Sequence, residues 1–223
     1  MNASPSAATP RGRLLIFDLD GTLIESVGDL TTAVNRLRAD FQLAPLPTDT
    51  VRRYVGDGVR KLVERALQEH PTDLDAALET YRGYYAHHMH DTTALFPGVA
   101  AGLRQLRAAG WQLAVISNKS ADFCRALLAQ LGVTELFCCV LGDGDTAQLK
   151  PDPEPLREVM RRAGATPAET WMIGDHHTDL EAARRAGTHS LFVTYGLGER
   201  GAEHAEHESG SFDELIRFFA GKR

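Results

Sequence analysis

The sequence predicts an α/β fold, a doubly wound parallel sheet interrupted by a helical insertion, on three observations. Short apolar runs alternate with helical periods through the second half of the chain. A glycine closes each of those helical periods. The first apolar run is also separated from the next by far more residues than a βα crossover requires. At 223 residues the chain is long for one minimal domain and short for two average ones, which suits one core plus an insertion.

The elements follow in order. Leu14 to Phe17 reads as the first strand. The insertion then shows three helical stripes: Leu30, Val34, Leu37 and Phe41; Val59, Leu62, Val63 and Ala66; and Leu74, Leu78, Tyr81 and Tyr85. Pro45 to Thr50 reads as a turn between helices, and His90 to Pro97 as the return linker. From there the strand candidates are Gln112 to Ile116, Cys138 to Leu141, Thr170 to Ile173 and Ser190 to Thr194, short and mostly apolar as in a sheet buried on both faces. Helices carrying Val99, Leu103 and Leu106, then Phe123, Leu127 and Leu131, then Leu156, Val159 and Ala163 fall between them, with Gly110, Gly132, Gly164 and Gly187 at helix ends. Repeated units of this kind form a Rossmann-like parallel sheet. A last helix turns Phe212, Leu215, Ile216 and Phe219 to one face, and the acidic, His-containing stretch from Glu199 to Ser209 before it reads as a loop.

Composition excludes several function classes. Apolar residues make up 43% of the chain, enough for a core, and 24 Lys plus Arg against 30 Asp plus Glu leave a net charge of −6. With a pI near 5.8 there is no bulk positive field to draw nucleic acid or an anionic membrane. No apolar run approaches the ~20 residues of a membrane helix. Residues 1–12, rich in Ser, Ala and Pro, read as a flexible tail without the apolar block of a secretory signal. Cys124, Cys138 and Cys139 are an odd number with two adjacent, poor for a disulfide framework; they read as small buried apolar side chains in a cytoplasmic protein. His87, His88 and His90 read as surface residues at a helix end.

In open α/β sheets ligands bind beyond the carboxyl ends of the strands, so the polar residues after each apolar run are the candidate site. They are Asp18, Asp20, Gly21 and Thr22; Ser117, Asn118 and Lys119; Lys150; and Asp175 and Asp179. Carboxylates gathered this closely repel one another and raise each other's pKa unless a cation stands among them. Hard oxygen donors suit Mg²⁺, while Lys150 and Ser117 offer donors to a phosphoryl group. Individually each has an ordinary alternative: Ser117 as a helix N-cap, Thr22 as a turn residue, and Asp179 as a helix residue beside a capping Thr178.

Phe17-Asp18-Leu19-Asp20-Gly21-Thr22-Leu23, Ser117-Asn118-Lys119, Lys150-Pro151-Asp152-Pro153 and Gly174-Asp175-His176-His177-Thr178-Asp179, in that order, resemble the four motifs of haloacid dehalogenase superfamily phosphatases. The insertion between the first two resembles the helical-cap subclass. Within it, Tyr54-Val55-Gly56-Asp57-Gly58-Val59 and the helix that follows are similar to the cap of phosphoglycolate phosphatases. The resemblance implies an α/β core over residues 13–24 and 95–223, with a helical cap over 25–94. It implies Asp18 as nucleophile, Asp20 as acid and base, Thr22, Ser117, Asn118 and Lys150 as phosphate-binding residues, Asp18, Asp20 and Asp175 as Mg²⁺ ligands, and Asp179 behind them. Gly56, Asp57 and Gly58 are the cap residues expected near substrate; Arg52, Arg53 and Lys61 are further cations on the cap. His176 and His177 depart from the pattern, where a small hydroxyl residue commonly follows the motif's Asp, and Glu25 stands where Asp is frequent.

The implied activity is Mg²⁺-dependent hydrolysis of a small phosphorylated metabolite through an aspartyl-phosphate, with 2-phosphoglycolate the leading substrate. A sugar-phosphate phosphatase or a phosphomutase is the alternative on the same fold. Asp20 and Asp175 argue against dehalogenation, which needs neither an acid nor a metal. A phospho-accepting signalling or binding module is the alternative of another class, and it has no use for an inserted cap. Nothing in the sequence points to a particular oligomeric state.

Overall fold

The structure, a computed structural model, describes residues 12–68, 70 and 72–222; apart from Gly12, the expected tail lies outside them. The first strand, β1 (Leu14–Phe17), takes the central place in a six-stranded sheet because all four of its side chains are buried. Its neighbours are β4 (Gln112–Ser120) and β6 (Thr170–Gly174), both parallel, with Leu14 level with Gln112 on one side and Thr170 on the other. Beyond β4 lies β5 (Cys139–Asp143), and beyond β6 lie β7 (His189–Val193) and β8 (His207–Ser209), again all parallel. The chain runs outward from β1 to β5 and then crosses back to β6. Strand order therefore reverses at β1 and β6, the place where an open α/β sheet leaves a crevice beyond its carboxyl ends.

Side-chain alternation along the strands builds two cores. Leu15 and Phe17 of β1 face one side, with α5 (Val99–Ala108), α6 (Ala121–Gln130) and α9 (Phe212–Ala220) packed over them. Leu14 and Ile16 face the other, under α7 (Glu154–Ala163) and α8 (His177–Ala186). Gly110, Gly132, Gly164 and Gly187 have the positive φ expected at helix ends.

Four helices stand between β1 and α5: α1 (Val27–Asp40), α2 (Thr48–Arg52), α3 (Val59–Ala66) and α4 (Leu74–His88). Their stripes join the same apolar cluster as Phe17 and Leu19, so the insertion is packed onto the core. The two crossings between them are paired as β2 (Ile24–Glu25) against β3 (Ala94–Leu95), antiparallel, with Ile24 opposite Leu95 and Glu25 opposite Ala94. Asp29, 1% exposed, fastens the same crossing: its carboxylate accepts from the amides and hydroxyls of Thr92 and Thr93 at 2.6–3.1 Å.

Four expectations need correction. The turn expected over Pro45 to Thr50 gives way at Thr48 to α2, whose Val51 is fully buried against the insertion's core. The return linker contains β3, too short to show a period. The end of the loop expected over Glu199 to Ser209 is β8, an edge strand with polar residues and no apolar run to announce it. Of the three cysteines, Cys124 and Cys139 are buried but Cys138 is exposed.

Candidate active site

Chain direction brings the polar residues after β1 and β6, and those at the end of β4 from Ser117 to Ser120, to one end of the sheet. The amide of Asp18 donates to the Ile173 carbonyl at 2.8 Å, continuing the β1–β6 ladder one residue past β1. Asp18 is thereby fixed at the reversal point. Gly21, at φ +87°, lets the chain turn back at once; a Cβ there would lie 2.1 Å from an Asp175 carboxylate oxygen.

Lys150 organises the floor. Its Nζ donates to Asp18 at 2.6 Å, to Asp179 at 2.6 Å and to the Ile116 carbonyl at 3.0 Å, so all three ammonium protons are used. Burial disfavours the charged lysine, but Asp179 and Asp18 outweigh it and hold its pKa above the ordinary value. Asn118 fixes the lysine's backbone: its Oδ1 accepts from the Lys150 amide at 2.9 Å and its Nδ2 donates to the Lys150 carbonyl at 2.8 Å. The same Nδ2 donates to the Gly56 carbonyl at 2.9 Å, which ties the floor to the insertion.

One cation does not balance this many carboxylates. Oxygens of Asp18, Asp175 and Asp179 lie within 4.8 Å of one another, all buried. Burial raises the Asp18 pKa well above the ordinary value; Lys150 opposes this, while Asp179 and Asp175 add to it. Asp175 is pushed up to about 6 by burial and by Asp179, against the hydrogen bonds it accepts from Gly198, Leu197 and Thr22. Three buried carboxylate groups of such proximity, held by backbone and hydroxyl donors, are a fitting donor set for a hard divalent cation.

Beside this cluster stands a second lysine–carboxylate pair. Lys119 Nζ reaches both oxygens of Asp20, at 2.6 and 2.7 Å, and Ser26 adds a short hydrogen bond to the same carboxylate. Burial disfavours the charge on Lys119, but Asp20 outweighs it and the ammonium is retained.

Over the floor lies a cavity of about 60 Å³ that Asp18, Asp20, Ser117, Asn118, Lys150 and Asp175 line from below. The insertion closes it with Leu30, Val55, Val59, Leu62, Tyr81 and Tyr85, and Arg82 stands at its exposed edge. Gly56 and Gly58 line it too, but the Asp57 side chain turns to Arg65 at 2.6 Å and lies 3.6 Å from His177.

The other expected residues fall as follows. Thr22 is fully buried and gives its hydroxyl to Asp175 at 3.1 Å, so it reaches the cavity only through that carboxylate. Asp179 is fully buried behind Asp18 and accepts from the His176 amide at 3.1 Å. His176 caps α8: its Nδ1 accepts from the Thr178 amide at 3.4 Å, the place held by Thr178 in the sequence reading. Ser120, not Ser117, begins α6, and the Ser117 Oγ accepts from the Lys119 amide at 3.3 Å. Lys61 pairs with Glu64 on the surface and Arg53 with Thr50, away from the cavity. His87 and His88 bond within their own helix end, to Gly83 and Asp91. Sequence reasoning gave no role to Lys119, though it lies within the Ser117-Asn118-Lys119 motif, and assigned Tyr81 and Tyr85 to the apolar stripe of α4.

Comparison with known proteins places this geometry. The family model described as haloacid dehalogenase-like hydrolase matches residues 15–193, from the strand before Asp18 to the end of β7. The chain belongs to the haloacid dehalogenase-like hydrolases. It is an enzyme of a hydrolase family, which sets aside the signalling-module alternative. Among its relatives, a Pseudomonas putida protein named phosphoglycolate phosphatase is 38% identical over 216 residues, covering 94% of this chain and 79% of that protein. A protein of the same name from Neisseria meningitidis serogroup A is 38% identical over 200 residues, covering 87% and 85%. A crystal structure from Haemophilus somnus 129PT, titled a predicted phosphoglycolate phosphatase, superposes with a TM-score of 0.88 at 26% identity, covering 95% of this chain and 100% of that one. No helix among the described residues of this family member is long and apolar enough to cross a membrane.

Proposed function

We propose that the protein is a Mg²⁺-dependent phosphomonoesterase that cleaves 2-phosphoglycolate to glycolate and phosphate. The observation that carries this reading is Asp18 at the sheet's reversal point, paired to Lys150 and grouped with Asp175 and Asp179 under a cavity roofed by the insertion. The names of the two relatives at 38% identity support the substrate.

Asp18 attacks phosphorus, forming the aspartyl–phosphorus bond as the phosphorus–oxygen bond to the alcohol breaks. Asp20, a carboxylate held by Lys119 and Ser26, takes up a proton from solvent as substrate enters and gives it to the departing alkoxide oxygen. It then takes one from the water that attacks the phosphoenzyme, freeing Asp18 and inorganic phosphate. Lys150 offsets charge on Asp18 and the phosphoryl oxygens, while Ser117 and the Asn118 amide donate to those oxygens. Asp18, Asp175 and the Asp20 carbonyl would hold Mg²⁺, with Asp179 behind them; the ion supplies charge neutralisation for nucleophile and phosphoryl group. Thr22 holds Asp175 in place, a positioning role in this reading.

The insertion over residues 25–94 acts as a cap, with residues 25–28 and 91–97 as its hinges, admitting substrate and then excluding water. Hydrogen exchange measured with and without Mg²⁺ and a phosphate mimic tests this: cap and linkers gain protection on closure, and identical profiles refute it. For the reaction itself, phosphate release is measured over a panel of phosphorylated metabolites. Release that needs Mg²⁺, stops with chelator and is fastest on 2-phosphoglycolate supports the reading. Absence of release from every phosphomonoester with Mg²⁺ present overturns it.

A further inference from the structure

The cavity contains polar groups that phosphoryl transfer does not use. The Tyr85 hydroxyl is buried and, among the described residues, meets no full hydrogen-bond geometry; the Lys119 ammonium is the donor beside it. Leaving such a group without a full hydrogen bond is unfavourable. Tyr85 is 1% exposed and lines the cavity, with its ring edge-on to Phe123 and parallel to Tyr81. Lys119 faces that ring, with Nζ 4.8 Å from its centroid, and its charge is shared with Asp20. An ammonium has three protons, and Asp20 takes two of them.

Position gives these donors a meaning that rests on the phosphomonoesterase reading. With phosphorus against Asp18 and the ester oxygen against Asp20, the leaving group extends toward the insertion. There it meets Lys119 beside Asp20, the Tyr85 hydroxyl, and a wall of Leu30, Val59, Leu62 and Phe123. We propose that Lys119 and Tyr85 form the leaving-group subsite and bind a carboxylate carried one carbon from the ester oxygen. The acceptor-only anion takes the Lys119 proton that Asp20 does not use, drawing it away from the Tyr85 side chain it faces, and the hydroxyl proton of Tyr85. A sugar phosphate fits less well, because hydroxyls turned to Leu30, Val59, Leu62 and Phe123 would lie without partners. The substrate class is thus short phosphorylated hydroxy acids.

The test compares kcat/KM for 2-phosphoglycolate with that for ethyl phosphate, in which a methyl group replaces the carboxylate, and for glucose 6-phosphate. The wild-type enzyme is expected to prefer 2-phosphoglycolate over ethyl phosphate by about 100-fold, two charge-assisted hydrogen bonds at about tenfold each. Tyr85→Phe reduces that preference about tenfold, and Lys119→Met reduces it further. Taking the ratio cancels any general loss caused by removing Lys119 from Asp20. Tyr85→Phe deletes a group without a full hydrogen bond, so its thermal midpoint should not fall. If Lys119→Met does not fold, calorimetric affinity of Asp18→Asn against Asp18→Asn with Tyr85→Phe for 2-phosphoglycolate carries the test, with a tenfold loss expected. Cleavage of ethyl phosphate as good as that of 2-phosphoglycolate, a preference unchanged in Tyr85→Phe, or faster cleavage of glucose 6-phosphate overturns the subsite and leaves the phosphatase reading standing. Cleavage of no phosphomonoester at all removes both.

Discussion

The floor and the roof of the cavity are built on opposite rules. On the floor every carboxylate is paired: Asp18 and Asp179 with Lys150, Asp20 with Lys119 and Ser26, Asp175 with two amides and Thr22. Across the roof the insertion offers mainly aliphatic and aromatic surface, and among the described residues the Tyr85 hydroxyl meets no full hydrogen-bond geometry. Groups that must stabilise a developing charge need to be fixed beforehand, because reorganising them during the reaction would cost the energy they supply. Groups that select a substrate can wait for it. The difference predicts that floor substitutions act on turnover itself, and roof substitutions on choice of substrate or on stability.

The largest effect is expected at Asp18, the proposed nucleophile. Asp18→Asn keeps the shape of the floor and removes the attacking oxygen, so phosphate release should fall at least about 10³-fold; a wild-type rate would break the comparison. Next comes Lys150→Met, which leaves Asp18 and Asp179 buried beside Asp175 with no lysine. Turnover should drop about 10²- to 10³-fold, and denaturant unfolding should show a loss of about 3–5 kcal/mol. If stability falls without turnover, Lys150 belongs to the scaffold alone. Gly21→Ala should be milder. The new methyl meets the Asp175 carboxylate in a backbone region costly for L residues by about 1–2 kcal/mol, so kcat should fall about tenfold. Unchanged kcat would show that Asp175 moves aside freely.

The smallest effect on turnover is expected at Asp29, which serves the crossing to the roof. Asp29→Ala should change kcat by about twofold or less and lower stability by about 1–3 kcal/mol, since Thr92 and Thr93 lose their acceptor. The loss should depend on pH. Burial acts to raise the Asp29 pKa, but the hydrogen bonds from Thr92 and Thr93 outweigh it and hold the folded value below the ordinary one. A depressed folded pKa gives stability that is complete above the unfolded pKa and is lost as pH falls through the folded value. The gap between wild type and variant should therefore be full at neutral pH and narrow below about pH 4; a gap independent of pH would show that packing, not the charge, holds the crossing.

Much of the fold is legible in the sequence. Leu14 to Phe17 and the four later apolar runs locate five of the six sheet strands, because a strand buried on both faces must be continuously apolar. The sixth, β8, is not legible, since an edge strand of His207, Glu208 and Ser209 has neither an apolar run nor alternation. At the candidate site the motifs bring Asp18, Asp20, Ser117, Asn118, Lys150 and Asp175 to one cavity. Thr22 was expected to face phosphate and instead faces Asp175, a difference of side-chain direction that spacing does not encode. Tyr85 has the spacing of a core residue and the burial of one, and its place in the cavity beside Lys119 is what sets it apart.

By itself the sequence determined which chemical groups follow which strand, and that helices interrupt the sheet after the first. Those features are written in a few consecutive residues: apolar periods, helix-ending glycines, and acidic or basic residues just after a strand. Tertiary structure decided which lysine serves which aspartate, where Thr22 points and what roofs the cavity. These depend on β4 and β6 lying on either side of β1, and on α3 and α4 folding back over the strand ends. Ion pairs and hydrogen bonds fall off over a few ångströms, so their partners are set by the packing of distant segments and not by local pattern.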